Sequence, residues 1–386
     1  MIRRLLHLFL IVLGFVVLLL GQSPVKADLT VEARSAILLE PSTGKILFTQ
    51  NEHQRLPPAS ITKTMTMLLV LEAIAEGKLN WNDPVITSRN AARMGGSQIY
   101  LKEGEILTVK ELFKAVVVKS ANDASTALAE HLAGSTEAFV AAMNRKAKAL
   151  GLQNTNFVNV TGLPAPDHYS SAYDLAIISR ELLLKHPEVL QFTTITTDYL
   201  RDGQFVLKNT NELITVYYGA DGLKTGYTQE ALYCLAATAK RNGFRLLSVI
   251  LGAETNEARV SQSCRLLDYG YQNYCWETIF TSKAAIGRVY IKQARSEYIP
   301  VRVKSDFGVV VAKAQKDALK VRYNVQKGLS FPLATGALVG TASVILEGQE
   351  IAQTPIYSVE PVTKANWFII GWRSVRDFFR ELFGTD

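Results

Sequence analysis

The 386-residue chain is poor in cysteine, histidine and runs of like charge, and each shortage removes a class of function. Its three cysteines, Cys234, Cys264 and Cys275, show no CxxC spacing and sit in apolar surroundings. That leaves two readings open, buried free thiols or a Cys264–Cys275 bridge. Only four histidines follow residue 27: His53, His131, His168 and His186. None falls in HExxH or another metal-ligand spacing, so no metal site is expected. There is no block of like charges and no zinc-finger or RNA-binding motif, which argues against nucleic acid as a partner. Internal repeats and low-complexity segments are also missing.

What is present begins with a leader. Arg3 and Arg4 precede an uncharged run from Leu8 to Pro24, followed by Val25-Lys26-Ala27, a small-residue cleavage pattern. Residues 1–27 therefore read as a secretory signal peptide with Asp28 as the first mature residue, and the protein as exported; an uncleaved membrane anchor is the alternative, since the apolar run borders on spanning length. Removing them lowers the formal net charge from +7 to +4, a mild excess suited to an anionic surface.

The chain is organised around Pro57-Pro58-Ala59-Ser60-Ile61-Thr62-Lys63. The prolines disfavour helix before them, and an apolar-periodic run (Met65, Leu68, Leu69, Leu71, Ile74) follows. The pattern predicts a helix beginning at Ser60, with Lys63 one turn later on the same face. Two readings fit: a capping serine with a surface lysine, or a nucleophile with its base.

Before this stretch, short strands around residues 37–39 and 46–48 flank a Gly-containing turn, predicting a hairpin. After it, helices are expected over 108–118, from 124, over 137–150 and over 170–184, separated by a polar loop, 151–169, too long for an ordinary connection. His168 reads as an ordinary polar residue of that loop. Strands at 232–239 and 244–251 form a second hairpin, and a helix covers 256–271. Strands at both ends enclosing many helices indicate an α+β domain over residues 28–275, one antiparallel sheet with a helical cluster. From 276 to 362 apolar residues alternate, as in Val289/Ile291, Val301/Val303, Val309/Val311 and Val321/Tyr323/Val325, predicting a small all-β domain. Residues 363–386 carry Phe368, Trp372, Val375, Phe379 and Leu382 at helical spacing, opposite Arg373, Arg376 and Arg380. That pattern fits an interfacial membrane anchor, the reading its terminal position and aromatics favour, or an amphipathic helix packed on its own protein or a partner.

Three short motifs bear chemistry. Ser-x-x-Lys occurs at Ser60–Lys63 and again at Ser42–Lys45; Ser-x-Asn occurs at Ser120–Asn122 and at Ser88–Asn90; Lys-Thr-Gly occurs once, at Lys224-Thr225-Gly226. Context separates the copies. Ser42 and Lys45 straddle a hairpin turn, and Ser88 lies in a polar connection, whereas Ser120 sits between two apolar helices.

The order Ser60-x-x-Lys63, Ser120-x-Asn122, Lys224-Thr225-Gly226 resembles the penicillin-binding proteins and serine β-lactamases. Pro58–Lys63, Ser120–Ala124, Lys224–Thr228, Cys234–Ala239 and the loop pattern from Gly151 to Leu163 resemble, in finer detail, the low-molecular-mass penicillin-binding proteins that are serine-type D-alanyl-D-alanine carboxypeptidases. The resemblance implies a β-lactamase/transpeptidase-like fold. It implies that Ser60 attacks the bond between two terminal D-alanines to form an acyl-enzyme, that Lys63 takes its proton, and that Ser120 relays a proton to the leaving D-alanine. Asn122 would bind the substrate amide and fix Lys63, Lys224 and Thr225 would face the terminal carboxylate, and Gly226 and Tyr227 would complete the substrate strand. The oxyanion hole would use the Ser60 and Tyr227 N–H groups. No cofactor is implied. The implied partners are peptidoglycan stem peptides, β-lactams and the membrane surface, at the outer face of the cytoplasmic membrane, with the C-terminal helix as a peripheral anchor. Two departures stand out: Ala121 and Leu232 occupy positions where the family commonly has glycine. A weakly active penicillin-binding scaffold is one alternative. A β-lactamase-like hydrolase is another, disfavoured because no Glu-x-x-x-Asn motif supplies a deacylating glutamate.

Overall fold

The computed structural model describes residues 29–383; the expected signal peptide, residues 1–27, lies outside the described residues. Strands β1 (Ser35–Leu39), β2 (Ile46–Gln50), β3 (Ala220–Thr228), β4 (Leu232–Arg241) and β5 (Phe244–Ala253) form one antiparallel sheet in the order β2-β1-β5-β4-β3. The two ends of the domain's sequence thus share a sheet, as expected of an α+β chain.

The sheet is buried on both faces, and alternate residues serve each one. Ile37, Leu39, Ala236, Val249 and Leu251 face a helical cluster. Ala36, Leu38, Leu235, Ala237 and Ile250 face Leu266 and Leu267 of a single covering helix. The cluster comprises α1 (Lys63–Ala75), α2 (Val109–Val118), α3 (Asn122–Ala133), α4 (Thr136–Ala149) and α5 (Ala172–Lys185); the covering helix is α6 (Asn256–Asn273). Helix α1 is the centre of the cluster, with nine of its thirteen residues buried. Only Leu69, Glu72, Ile74 and Ala75 are not fully buried, so most of the helix's surface is covered by its neighbours. Its buried threonines are satisfied: Thr64 Oγ1 donates to Ile61 O at 2.7 Å and Thr66 Oγ1 to Val160 O at 3.0 Å.

Two local expectations, both helix starts, need correction, and the cysteine question is decided. The helix does not start at Ser60: residues Ala59–Thr62 form a 3-10 turn, α1 begins at Lys63, and no side chain caps the turn. The capping reading of Ser60 therefore falls. Helix α3 starts at Asn122 rather than 124, because Asp123 supplies an acidic group in its first turn and Asn122 N–H is already held by Ser97 O at 2.7 Å. All three cysteines are free thiols, with Cys234 buried and Cys264 and Cys275 half-buried.

The C-terminal domain is all-β. A sheet ordered β7-β8-β12-β11-β10 uses Gly287–Tyr290, Tyr298–Arg302, Gln349–Ser358, Leu338–Leu346 and Lys320–Val325, and a separate ribbon pairs β6 (Tyr274–Phe280) with β9 (Phe307–Ala312). Strand β6 opens at Tyr274, ahead of the expected boundary at 275. The alternation Val289/Ile291, Val301/Val303 and Val309/Val311 points inward, whereas edge strand β10 leaves Val321 41% exposed. Lys45, the lysine of the first Ser-x-x-Lys copy, crosses between domains and donates to Val310 O at 2.7 Å.

The last element, α7 (Trp367–Phe383), lies against the β domain by its polar face. Arg373 is buried and donates to the carbonyls of Lys292 (3.0 Å) and Ala294 (2.6 Å); Arg376 pairs with Glu297; Tyr290 donates to Asp377 at 2.5 Å. The opposite face exposes Trp367, Phe368, Trp372, Phe378, Phe379 and Phe383.

Candidate active site

Of the eight predicted site residues, Ser60, Lys63 and Asn122 meet through side-chain hydrogen bonds. The 3-10 turn holds Ser60 at the start of α1 and places Lys63 Nζ 2.9 Å from Ser60 Oγ. The same nitrogen lies 2.7 Å from Asn122 Oδ1 and 2.6 Å from the Thr161 carbonyl. Lys63 has no exposed surface. Burial, reinforced by the neighbouring Lys224 charge and opposed by Asp123, holds its amine well below the usual lysine range.

That environment dictates how a neutral amine must point. It has two N–H donors and one lone pair. Asn122 Oδ1 and Thr161 O are carbonyl oxygens that only accept, so they take the two donors. Of the three neighbours only the Ser60 hydroxyl can donate, and the lone pair therefore faces Ser60 Oγ. The triad of contacts is the geometry of a nucleophile beside its base.

Asn122 is itself fixed, its Nδ2 donating to Gly95 O at 2.7 Å. Asp123 organises the adjoining segment by accepting from the N–H groups of Ile99, Leu101 and Ala124. Ser120, at the turn between α2 and α3, adopts φ +63°, and its buried Oγ has no hydrogen-bond partner among the described residues. It is hydrogen-bonded to neither Lys63 nor Lys224. Ala59, immediately before Ser60, also has positive φ, +46°. Left-handed backbone at non-glycine residues costs on the order of 1–3 kcal/mol and collects where function fixes geometry.

Strand β3 brings Lys224, Thr225, Gly226 and Tyr227 alongside. An added Cβ on Gly226 would sit 3.0 Å from Ser60 N and 3.1 Å from Pro58 O, so a side chain there would press on the turn that carries Ser60, and glycine lets β3 approach it closely. Lys224 is buried, and burial, with the Arg259 charge behind it, lowers its pKa to about 7. Its Nζ donates to Thr225 O at 3.1 Å. Thr225 Oγ1 lies 2.6 Å from Thr210 Oγ1, a hydroxyl pair beside a buried cation and suited to a carboxylate. Tyr227 is half exposed and packs against Tyr233 with ring centroids 4.4 Å apart and planes tilted by 35°.

The decoy motifs are accounted for elsewhere. Ser42 Oγ donates to Glu40 at 2.6 Å, and Ser88 caps a short helix while donating to Glu130 at 2.6 Å. Leu232 closes the β3–β4 hairpin at φ +59°, which explains why glycine suits the position. Its half-buried side chain belongs to none of the core clusters. Among the described residues no cluster of three or more His, Cys, Asp or Glu side chains is placed to hold a metal ion.

Sequence reasoning missed Thr161, Thr210 and His168. Thr161 acts through its main-chain carbonyl, which any residue type supplies. Thr210 is recognisable only once β3 is in place. His168, expected to be an ordinary loop residue, is buried and bonded to Thr62 inside the Ser-x-x-Lys motif at 2.8 Å.

Residues 22–255 match the family described as D-alanyl-D-alanine carboxypeptidase, and residues 276–364 match the C-terminal domain of penicillin-binding protein 5. The chain is 42% identical to D-alanyl-D-alanine carboxypeptidase DacF of Bacillus subtilis, over 91% of both chains. It is 34% identical to D-alanyl-D-alanine carboxypeptidase DacC of Escherichia coli, over 92% of this chain and 90% of that protein. Among solved structures, penicillin binding protein 5 from Haemophilus influenzae superposes with a TM-score of 0.76 at 31% identity, covering 89% of this chain and all of that one.

Proposed function

Because the chain belongs to the D-alanyl-D-alanine carboxypeptidase family, we propose that Ser60 is its nucleophile, Lys63 the base, and strand β3 the platform for the substrate's C-terminus. The protein is a serine-type D-alanyl-D-alanine carboxypeptidase that trims peptidoglycan stem peptides and binds penicillin covalently. The single observation that carries the residue assignment is the Lys63 amine, fully buried, with two carbonyl acceptors and one hydroxyl around it.

In this reading the terminal carboxylate binds Lys224 and the Thr225 hydroxyl, so only a free C-terminus is accepted. Ser60 Oγ attacks the carbonyl of the penultimate D-alanine while Lys63 removes its proton. The N–H groups of Ser60 and Tyr227 receive the developing oxyanion, and each such donor is worth about 3–4 kcal/mol of barrier. The Gly226 approach, which sets the β3 backbone against Ser60, supports that placement. Ser120, strained and unpartnered, is free to bond the departing amine when substrate fills the cleft. Asn122 holds Lys63 and offers its second amide N–H to the substrate. Water then releases the acyl group.

The test is release of free D-alanine from diacetyl-Lys-D-Ala-D-Ala. Wild type should release it and Ser60→Ala should fall by roughly 10⁴-fold or more. Release by Ser60→Ala at the wild-type rate would overturn the nucleophile assignment.

The signal-like leader supports export, and α7 supports attachment at the membrane surface. No helix among the described residues is long and apolar enough to cross a membrane. Because Arg373 and Arg376 are engaged by the β domain, attachment falls to the aromatic face rather than to arginines reaching for headgroups. Trp372→Glu with Phe379→Glu removes two exposed apolar groups worth about 1.5–3 kcal/mol each. Sedimentation with anionic phospholipid vesicles should show at least about 100-fold weaker partitioning of the full chain. Unchanged partitioning would refute the aromatic anchor.

A further inference from the structure

The loop formed by residues 151–171 reaches the nucleophile turn through one side chain that the mechanism above does not use. His168 accepts the Val158 N–H at Nδ1, 2.9 Å away. Its ring proton is therefore on Nε2, and Nε2–H donates to Thr62 Oγ1 at 2.8 Å. Phe157 packs against the imidazole with centroids 6.0 Å apart. His168 is 6% exposed, and burial lowers its pKa to about 4, so the neutral ring persists under ordinary conditions. A second ring proton would confront the Val158 N–H with another donor.

The two residues so joined lead directly to the reacting groups. Thr62 precedes Lys63 and lies two residues after Ser60. Val158 begins the segment whose Thr161 carbonyl accepts from Lys63 Nζ at 2.6 Å. Thr161 O is one of only two carbonyl acceptors that orient the Lys63 amine among the described residues, so any slip between loop and turn rotates the lone pair away from Ser60 Oγ.

We propose that His168 is a positioning residue, locking the loop to the nucleophile turn through Thr62 so that the Thr161 carbonyl sets the direction of the Lys63 lone pair. The inference rests on Ser60 and Lys63 being nucleophile and base. It assigns His168 no contact with substrate.

The experiment measures the second-order rate of acylation by fluorescent penicillin, together with kcat and KM for D-alanine release. Wild type is compared with Thr62→Val, His168→Ala, His168→Gln and the Thr62→Val/His168→Ala double variant, each checked for folding by thermal melting. Thr62→Val is nearly isosteric and keeps the loop's own packing. Acylation should fall about 10- to 100-fold in Thr62→Val and in His168→Ala, in kcat more than in KM, as a misplacement of about 1 Å does. The double variant should be no slower than the worse single, because both remove one bond. His168→Gln, which retains a donor toward Thr62, should recover part of the rate. Wild-type acylation by Thr62→Val, or losses that multiply in the double variant, would overturn the proposal, including where His168→Ala fails to fold. Ser60→Ala run alongside separates the two ideas: its labelling would sink the nucleophile assignment, whereas a full-speed Thr62→Val sinks only the role of His168.

Discussion

Replacing Lys63 by alanine should slow acylation by about 10²- to 10⁴-fold, the range a positioned general base contributes. Alanine also takes the Lys63 donor away from Asn122 Oδ1 and Thr161 O, which by itself would disturb the site. Lys63→Gln resolves that ambiguity. Its amide offers two N–H donors to the same carbonyls but no basic nitrogen, so it should be as inactive as alanine while melting closer to wild type. If Lys63→Gln were acylated near the wild-type rate, measured with fluorescent penicillin, Lys63 would lose the base role. The pH profile of kcat/KM follows from the same environment. Activity is lost on the acid side as Lys63 takes up a proton, at a pH well below the usual lysine value. On the alkaline side the free enzyme loses the Lys224 charge, whose pKa is about 7, and carboxylate-terminated substrates bind less well.

Gly162→Ala is expected to be the most damaging change outside the side chains that do chemistry. Gly162 has φ +84°, and an added Cβ would fall 1.8 Å from Ala59 O and 2.9 Å from Ser60 N. Backbone against backbone cannot yield by rotating a side chain, so the loop or the nucleophile turn must move. Left-handed strain and overpacking together cost roughly 2–4 kcal/mol, which lowers the melting temperature by roughly 5–10 °C. Acylation should fall about 100-fold, because Ser60 and Thr161 both shift relative to Lys63. A variant with unchanged melting and unchanged acylation would mean that the contact between Gly162 and Ala59 does not set the site.

The parts of the structure legible in the sequence are those where residue type and spacing carry the information. Ser60–Lys63 spans one turn, Lys224-Thr225-Gly226 sits in a strand, and the alternation through Val301 and Val311 describes buried β-strand positions. The doubly buried sheet is legible as apolar runs such as Leu232–Ala239, although not which residues face which layer. Other features depend on main-chain atoms or on distant partners. Thr161 contributes a carbonyl, and its identity therefore carries no signal. His168 meets Thr62 across 106 positions of chain, and Thr210 meets Thr225 only after β3 has joined the sheet. In α7 the amphipathic pattern is plain, but the partners of Arg373 are carbonyls of residues 292 and 294, so the sequence does not reveal that the charged face is occupied. Similarly, nothing in the spacing of Ser60 predicts the 3-10 turn that keeps its hydroxyl from capping a helix.

The most direct measurement is to treat the protein with benzylpenicillin, digest it and locate the added mass by tandem mass spectrometry. A single penicilloyl group on Ser60, absent from Ser60→Ala and strongly reduced in Lys63→Gln, is the expected result. An adduct on Ser42, Ser120 or any other residue, or an equally labelled Ser60→Ala protein, would contradict the assignment of Ser60 as the nucleophile activated by Lys63.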